Sequence, residues 1–190
     1  MDGVFIDVDA ELPGVRATEP AIREAATNLI DNALKYAQPG GMGATESGEV
    51  DGDEVDGDEA GAGEASGGEA RRYVAIWCAF DEESGMVSIE VWNSAPALHD
   101  DDLLLAREWG VRGRAATSLG VDGSGYGLPI AEQLVALLGG QLELANAPMP
   151  PWAWDQAGVS IRERPGGVSA RILLPRAALR TGDHGEGDGP

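Results

Sequence analysis

The segment Asn28-Leu29-Ile30-Asp31-Asn32-Ala33-Leu34-Lys35-Tyr36 is the most informative part of this 190-residue chain. It ends a run, residues 19–37, whose pattern predicts a helix. Thr18 can serve as the N-cap of that helix, and Pro20 falls in its first turn, where a missing N–H is tolerated. Apolar residues at helical spacing predict a side that faces the core: Ile22, Ala25, Ala26, Leu29, Ile30, Ala33 and Leu34.

A polar stripe lies beside this apolar side and carries Glu24, Asn28, Asn32, Lys35 and Tyr36. Asparagine is a poor helix former, so two of them in mid-helix require a reason. Amide oxygens suit Mg²⁺, Lys35 can neutralise a phosphate oxygen, and Tyr36 offers a ring to a base. The alternative is a solvated face. Lys35 is the only lysine in the chain, which favours a wall that binds a metal and a phosphate.

The composition predicts one acidic globular domain, with 43% hydrophobic residues, a net charge of −20 and a pI near 4.2. A general nucleic-acid binder is excluded, because like charges repel the phosphate backbone. No run of 18 apolar residues occurs, so we expect no membrane contact by this segment. Cys78 is the only cysteine, which excludes an internal disulfide. That fits the cytoplasm or another reducing compartment, such as a plastid stroma.

The predicted domain covers residues 1–178, with an insertion at 39–70 and a tail at 179–190. The insertion consists of Gly, Ala, Ser, Asp and Glu with almost no large apolar side chain. Such a segment cannot bury enough surface to offset its ordering entropy, so we expect it to be disordered. An acidic lure for a basic partner is the alternative interpretation of the insertion. The Gly- and Asp-rich tail is also predicted to be disordered.

Period-two patterns and β-branched residues predict strands at 4–9, 72–80, 86–92, 141–145 and 167–174. Residues 81–85 are typical of a hairpin turn, and residues 100–109 of a short helix. Residues 146–165 contain several prolines, which favours a loop whose tryptophans cover the edge of the domain rather than bind a partner.

A second informative segment contains Gly123, Gly125 and Gly127 and opens directly into a helix that starts near Leu128. Pro129 falls in the first turn of that helix, and Gly139-Gly140 ends it. Glycines let a backbone approach phosphate closely, and a helix N-terminus presents free N–H groups to it. The segment therefore predicts a phosphate-binding loop.

Taken in order, these segments resemble the GHKL ATP-binding family, most closely the catalytic and ATP-binding domain of sensor histidine kinases. The resemblance implies an α/β fold, a two-layer sandwich of a mixed β-sheet with helices on one face. It implies ATP and Mg²⁺ as cofactors, with Asn28 and Asn32 as metal ligands. It also implies that nucleotide contacts come from the polar stripe and the second segment: Lys35, Tyr36, Gly123, Gly125, Gly127 and Leu128.

The chain departs from the family at the segment that follows the strand at 86–92. The family carries Asp-x-Gly-x-Gly there, and its Asp accepts a hydrogen bond from the adenine amino group. Here Asn93, Ala95 and Ala97 take those places. The Asn93 oxygen can still accept the bond, but without the strength of a charged acceptor. The family has a mobile lid after the next helix, where Arg112 and Arg114 could clamp phosphate oxygens.

The branch of the family can be argued from Asn28. Members that hydrolyse ATP carry a Glu there to activate water, and an amide cannot act as a general base. Phosphoryl transfer to another protein fits better, with no catalytic residue assigned within the chain. Because His99 and His184 lack the helical setting of an acceptor, we expect a histidine-bearing dimerisation domain, upstream or in trans, and a response regulator as partners. A degenerate pseudokinase and an anti-sigma-type serine kinase are the alternatives.

Overall fold

The computed structural model describes residues 3–39, 71–111, 123–160 and 164–177. The predicted insertion from residue 40 onward, the tail and both lid arginines lie outside these ranges. The described part has five strands, β1 (Gly3–Val8), β2 (Tyr73–Asp81), β3 (Met86–Ser94), β4 (Gln141–Pro148) and β5 (Gly166–Pro175). Its helices are α1 (Glu19–Tyr36), α2 (Asp100–Leu105), α3 (Gly127–Leu137) and α4 (Pro151–Ala157).

The strands form one sheet in the order β1-β2-β3-β5-β4. β1 runs parallel to β2, and every other neighbouring pair is antiparallel, so the sheet is mixed as predicted. The hairpin between β2 and β3 turns where the sequence indicated. There the Asp81 carboxylate accepts hydrogen bonds from the Ser84 hydroxyl and the Glu83 N–H, which lower the pKa of Asp81.

The two longer helices, α1 and α3, pack against each other and against one face of the sheet. Leu29 of α1 is 1% exposed and lies in the core with Val74, Val91 and Ile172 of the strands. Burying a side chain of this size stabilises the fold by roughly 2 kcal/mol. This core confirms the predicted sandwich and fixes the orientation of α1, so that its polar stripe lies along the side next to α3.

The second face of the sheet is partly covered by α4, and here the predicted loop over 146–165 is wrong. β4 continues to Pro148, and α4 begins directly afterwards, because Pro151 occupies a first-turn position where proline is tolerated. The ring of Trp152 packs edge-on against Trp77 of β2 at 5.9 Å between centroids. The tryptophans of this segment therefore cover a face of the sheet and not only its edge.

Two further features concern the helices and the cysteine of the described part. No helix there combines the length and the apolar character needed to cross a membrane. Cys78 of β2 is half-buried, and burial together with the nearby Asp9 carboxylate raises the pKa of its thiol. The thiol therefore stays protonated at neutral pH.

Candidate functional site

The first residue of α3 lies against the polar stripe of α1. A Cβ atom added to Gly127 would be 3.4 Å from Oδ1 of Asn28 and 3.6 Å from both amide atoms of Asn32. The two segments that the sequence singled out separately are thus brought together, with one helix N-terminus facing two amides. A group entering between them meets amide oxygens on one side and free backbone N–H groups on the other.

Asn28 is held in place by its own helix. Its Nδ2 donates to the carbonyl oxygen of Glu24 at 3.1 Å, so its Oδ1 is left as an acceptor on the side of Gly127. Among the described residues no three His, Cys, Asp or Glu side chains gather into a metal site. A divalent ion in this region would therefore take the amide oxygens of Asn28 and Asn32, together with oxygens from its own ligand.

The glycine segment before α3 has two contacts that fix its course. A Cβ atom on Gly123 would lie 3.5 Å from the Tyr36 hydroxyl, so this end of the loop is beside α1. Gly125 has a φ of +72°, and a Cβ atom there would lie 3.0 Å from the backbone of Gly110 and Val111. Only glycine fits that position without strain. The loop is thereby closed onto residues 110–111.

Asn93 lies at the end of β3, on the face that α1 and α3 cover, and is 7% exposed. Its Nδ2 donates to the Ser94 carbonyl oxygen at 3.3 Å, which leaves Oδ1 as the acceptor predicted from the sequence. Ala95 is buried and its N–H donates to the carbonyl oxygen of Gly166 at 3.3 Å, whereas Ala97 is exposed in the loop that follows.

The remaining predicted residues differ in their surroundings. Lys35 is exposed and makes no ion pair with any described residue, so its charge is available to a ligand. The side chain of Leu128 packs in the core, so only its backbone could meet a ligand. Arg112 and Arg114 fall outside the described residues. Two shallow clefts of the described part lie away from these residues, at the start of α1 and on the outer side of α3.

Two side chains that the sequence analysis did not single out organise this end of the sheet. The Ser94 hydroxyl accepts from the Tyr73 N–H at 2.9 Å and donates to the Gln38 carbonyl oxygen at 2.6 Å. The amide of Asn146 makes two hydrogen bonds of 2.8 Å to the backbone of Leu98. Asn146 follows Leu142 and Leu144 at period two, and a polar residue on an inward-facing row is the signal that could have identified it.

A family model described as histidine kinase-, DNA gyrase B- and HSP90-like ATPase matches residues 17–178. The chain belongs to this ATPase family. Membership accounts for a sheet with a polar helical stripe opposite a glycine loop, and it makes the chain a GHKL-type ATP-binding domain.

Solved structures agree at the level of the fold. The mycobacterial sensor histidine kinase MprB matches with a TM-score of 0.59 and 19% identity, over 93% of this chain and 86% of that one. The catalytic domain of histidine kinase ThkA gives 0.55 and 17%, over 91% and 78%. Full-length ShkA, solved in complex with AMPPNP, gives 0.54 and 19%, with 93% of this chain matching 27% of that one.

A curated relative is similar over a shorter stretch. The adaptive-response sensory kinase SasA of Crocosphaera subtropica is 54% identical over 35 residues, which are 18% of this chain. The match spans only 9% of the length of that kinase.

Proposed function

We propose that this chain binds Mg·ATP and transfers the γ-phosphate to a histidine on a separate helical dimerisation domain, as the catalytic module of a two-component phosphorelay. The observation that carries the proposal is the position of Gly127 against Asn28 and Asn32. Glycine at this place keeps a side chain out of the gap between a helix N-terminus and two amides, so that a phosphate oxygen can approach both.

Each wall of the site has a role in this proposal. The oxygens of Asn28 and Asn32 hold Mg²⁺, which neutralises charge on the phosphates and orients them. The N-terminus of α3 supplies backbone N–H groups and the positive end of the helix dipole. Lys35 adds the full positive charge that the pocket of an acidic protein requires. Arg112 and Arg114 are proposed to add two more charges from the lid.

The base side of the site is proposed to bind adenine through Asn93. Its Nδ2 is engaged with the Ser94 carbonyl, so its oxygen is the atom that can accept from the adenine amino group. A neutral acceptor contributes about 1 kcal/mol, whereas a charged one contributes roughly 1.5–3 kcal/mol. We therefore expect weak binding of the nucleotide, with the phosphates supplying most of the affinity.

Transfer is favoured over hydrolysis because the stripe residue that lies nearest to the N-terminus of α3 is Asn28, whose amide cannot act as a general base. Asn28 stands where a carboxylate would be needed, and its Nδ2 is tied to the Glu24 carbonyl oxygen. A site that positions ATP without a general base suits an acceptor brought by another protein, which then passes the phosphate to a response regulator. Trp109 and Tyr126 pack together and are each about half exposed beside the glycine loop, where such an acceptor would approach.

The compartment is proposed on chemical grounds. A single half-buried thiol suits the cytoplasm or another reducing compartment, such as a plastid stroma. An acceptor domain and a response regulator would have to share that compartment.

Two measurements test the proposal. Titration calorimetry with a non-hydrolysable ATP analogue should show binding with Mg²⁺ and much weaker binding when EDTA is added. Incubation with ATP and a histidine-bearing dimerisation domain supplied in trans should then label that domain with acid-labile phosphate. Absence of heat and of any thermal shift at millimolar nucleotide would contradict ATP binding. Binding without labelling would favour a pseudokinase that signals by docking.

A further inference from the structure

Asn146, near the end of β4, holds a neighbouring loop by both of its amide atoms. Its Oδ1 accepts from the N–H of Leu98, and its Nδ2 donates to the carbonyl oxygen of the same residue, both at 2.8 Å. The N–H and the carbonyl of Leu98 belong to successive peptide groups, so the side-chain amide of Asn146 pairs with Leu98 as the backbone of a neighbouring strand would. The hydrogen bonds fall just before α2 begins at Asp100.

Asn146 also shares a row of the sheet with Asn93. Val168 of β5 lies opposite Asn93 on one side and opposite Asn146 on the other. All three belong to the face covered by α1 and α3, since Val91, Ile172 and Leu142 of the same faces lie in that core. Two strand spacings separate the asparagines, which is roughly 10 Å. The row formed by Asn93, Val168 and Asn146 is the floor beside the proposed adenine acceptor, and Asn146 is its last residue.

The loop from Ala95 to Leu98 is attached to this floor at both of its ends. The Ala95 N–H donates to Gly166 of β5, and the backbone of Leu98 pairs with Asn146 of β4. Pro96 lies between the two attachments and limits the freedom of the chain there. The position of the loop over the floor is thus set by one backbone contact and one side chain.

We propose that Asn146 is a positioning residue for the base-binding side of the site, and that it acts by holding residues 95–98 over the Asn93 row. This inference rests on the proposed function, because it assumes that a base lies beside Asn93. It assigns Asn146 no contact with the phosphates, which lie at the other end of the site between α1 and the N-terminus of α3.

The test compares a ligand that has a base with one that has none. In the full chain, Asn146→Ala should weaken binding of a non-hydrolysable Mg·ATP analogue about five- to tenfold, as expected for the loss of two neutral hydrogen bonds. Binding of Mg·tripolyphosphate should change by less than about twofold. Gln141→Ala, also exposed on β4 but at its other end, should change neither value.

Asn146→Asp provides a second variant with nearly the same shape. Its carboxylate can accept from the Leu98 N–H but faces the Leu98 carbonyl oxygen without a donor, so it should show the same split between the two ligands. Equal losses for both ligands, or no loss for either, would overturn the positioning role. If the unmodified chain binds tripolyphosphate and the ATP analogue equally, no base site exists beside Asn93 and the inference is wrong. If the unmodified chain binds neither ligand, the proposed function fails along with it.

Discussion

At the scale of single residues, the structure places the polar stripe predicted on α1 next to the first residue of α3. Asn32 is the clearest case, because its amide lies 3.6 Å from the point where a side chain on Gly127 would begin. Asn32→Ala should reduce nucleotide binding at least about tenfold, since it removes a proposed Mg²⁺ ligand. The stripe borders the core without entering it, so the free energy of unfolding should change by less than about 1 kcal/mol.

Thr27→Ala is the matched control for this prediction, because Thr27 is exposed on α1 away from the stripe. Titration calorimetry measures the affinity of each variant, and urea unfolding measures its stability. Asn32→Ala binding as tightly as the unmodified chain would show that the stripe does not hold the metal.

Gly127 allows a residue-scale prediction that separates binding from folding. Gly127 begins α3 with helical backbone, and an added methyl group would have only ordinary contacts at 3.4–3.6 Å. Gly127→Ala should therefore leave the stability unchanged within about 0.5 kcal/mol. The methyl group would occupy the space between the amides and α3, so the affinity for the ATP analogue should fall at least about tenfold.

Gly14→Ala is a suitable control, because no atom lies within 4 Å of the added methyl group. Gly14 lies beside the end of the last strand, away from the candidate site. This substitution should alter neither quantity. Gly125→Ala, by contrast, should lower stability as well as binding, given the positive φ and the backbone contacts at 3.0 Å. An unaltered affinity in Gly127→Ala would place the phosphates elsewhere.

At the scale of elements, the sequence predicted those segments whose form follows from local pattern. α1 and α3 were predicted because each has an apolar side at helical spacing and proline only in its first turn. The five strands were predicted from period-two patterns and from runs rich in β-branched and aromatic residues. The two predicted parts of the site came together because the fold of the family brings α1 beside α3.

Other elements depend on partners that are distant in sequence, and for that reason local pattern did not reveal them. α4 lies among prolines that favour a loop, and it is stabilised by the sheet face beneath it, where Met149 and Ala153 are fully buried against Trp92. The loop at 95–98 is hydrogen-bonded to Asn146, which is 48 residues from Leu98, and neither partner of that pair is unusual by itself.

The packing of α4 leads to a prediction about stability that should not affect binding. Trp152→Ala removes an edge-on contact with Trp77 from a half-buried site on the second face of the sheet. We expect a loss of about 1–2 kcal/mol in the free energy of unfolding, with no change in affinity for the ATP analogue. Trp109→Ala serves as the control, because Trp109 is 52% exposed and should cost much less in stability. Equal losses in the two variants would mean that α4 contributes little.

At the scale of the whole molecule, the insertion is attached at two points that the fold already holds together. Gln38, just before it, and Tyr73, just after it, are both hydrogen-bonded to Ser94. At about 200 mM NaCl, where charge repulsion is largely screened, replacing residues 40–70 by a short Gly-Ser linker should therefore leave folding and nucleotide affinity nearly unchanged, because closure entropy depends only weakly on loop length. Thermal unfolding and titration of the shortened chain measure both. A fall of more than about 8 °C in Tm would indicate that the insertion packs on the domain.

The same shortened chain tests how net charge affects stability. Ten of the 33 acidic residues, and no basic residue, lie in residues 40–70, so their removal halves the formal net charge from −20 to −10. Self-repulsion destabilises a compact acidic protein, and salt screens it. The Tm of the full chain should therefore rise by several degrees between about 20 and about 200 mM NaCl, a range in which the Debye length falls from roughly 20 to 7 Å. Because the energy of repulsion scales with the square of the charge, the shortened chain should show roughly a quarter of that rise.

KCl should act like NaCl if screening is the cause. Equal rises in the two chains would show that the insertion's charges do not act on the folded domain.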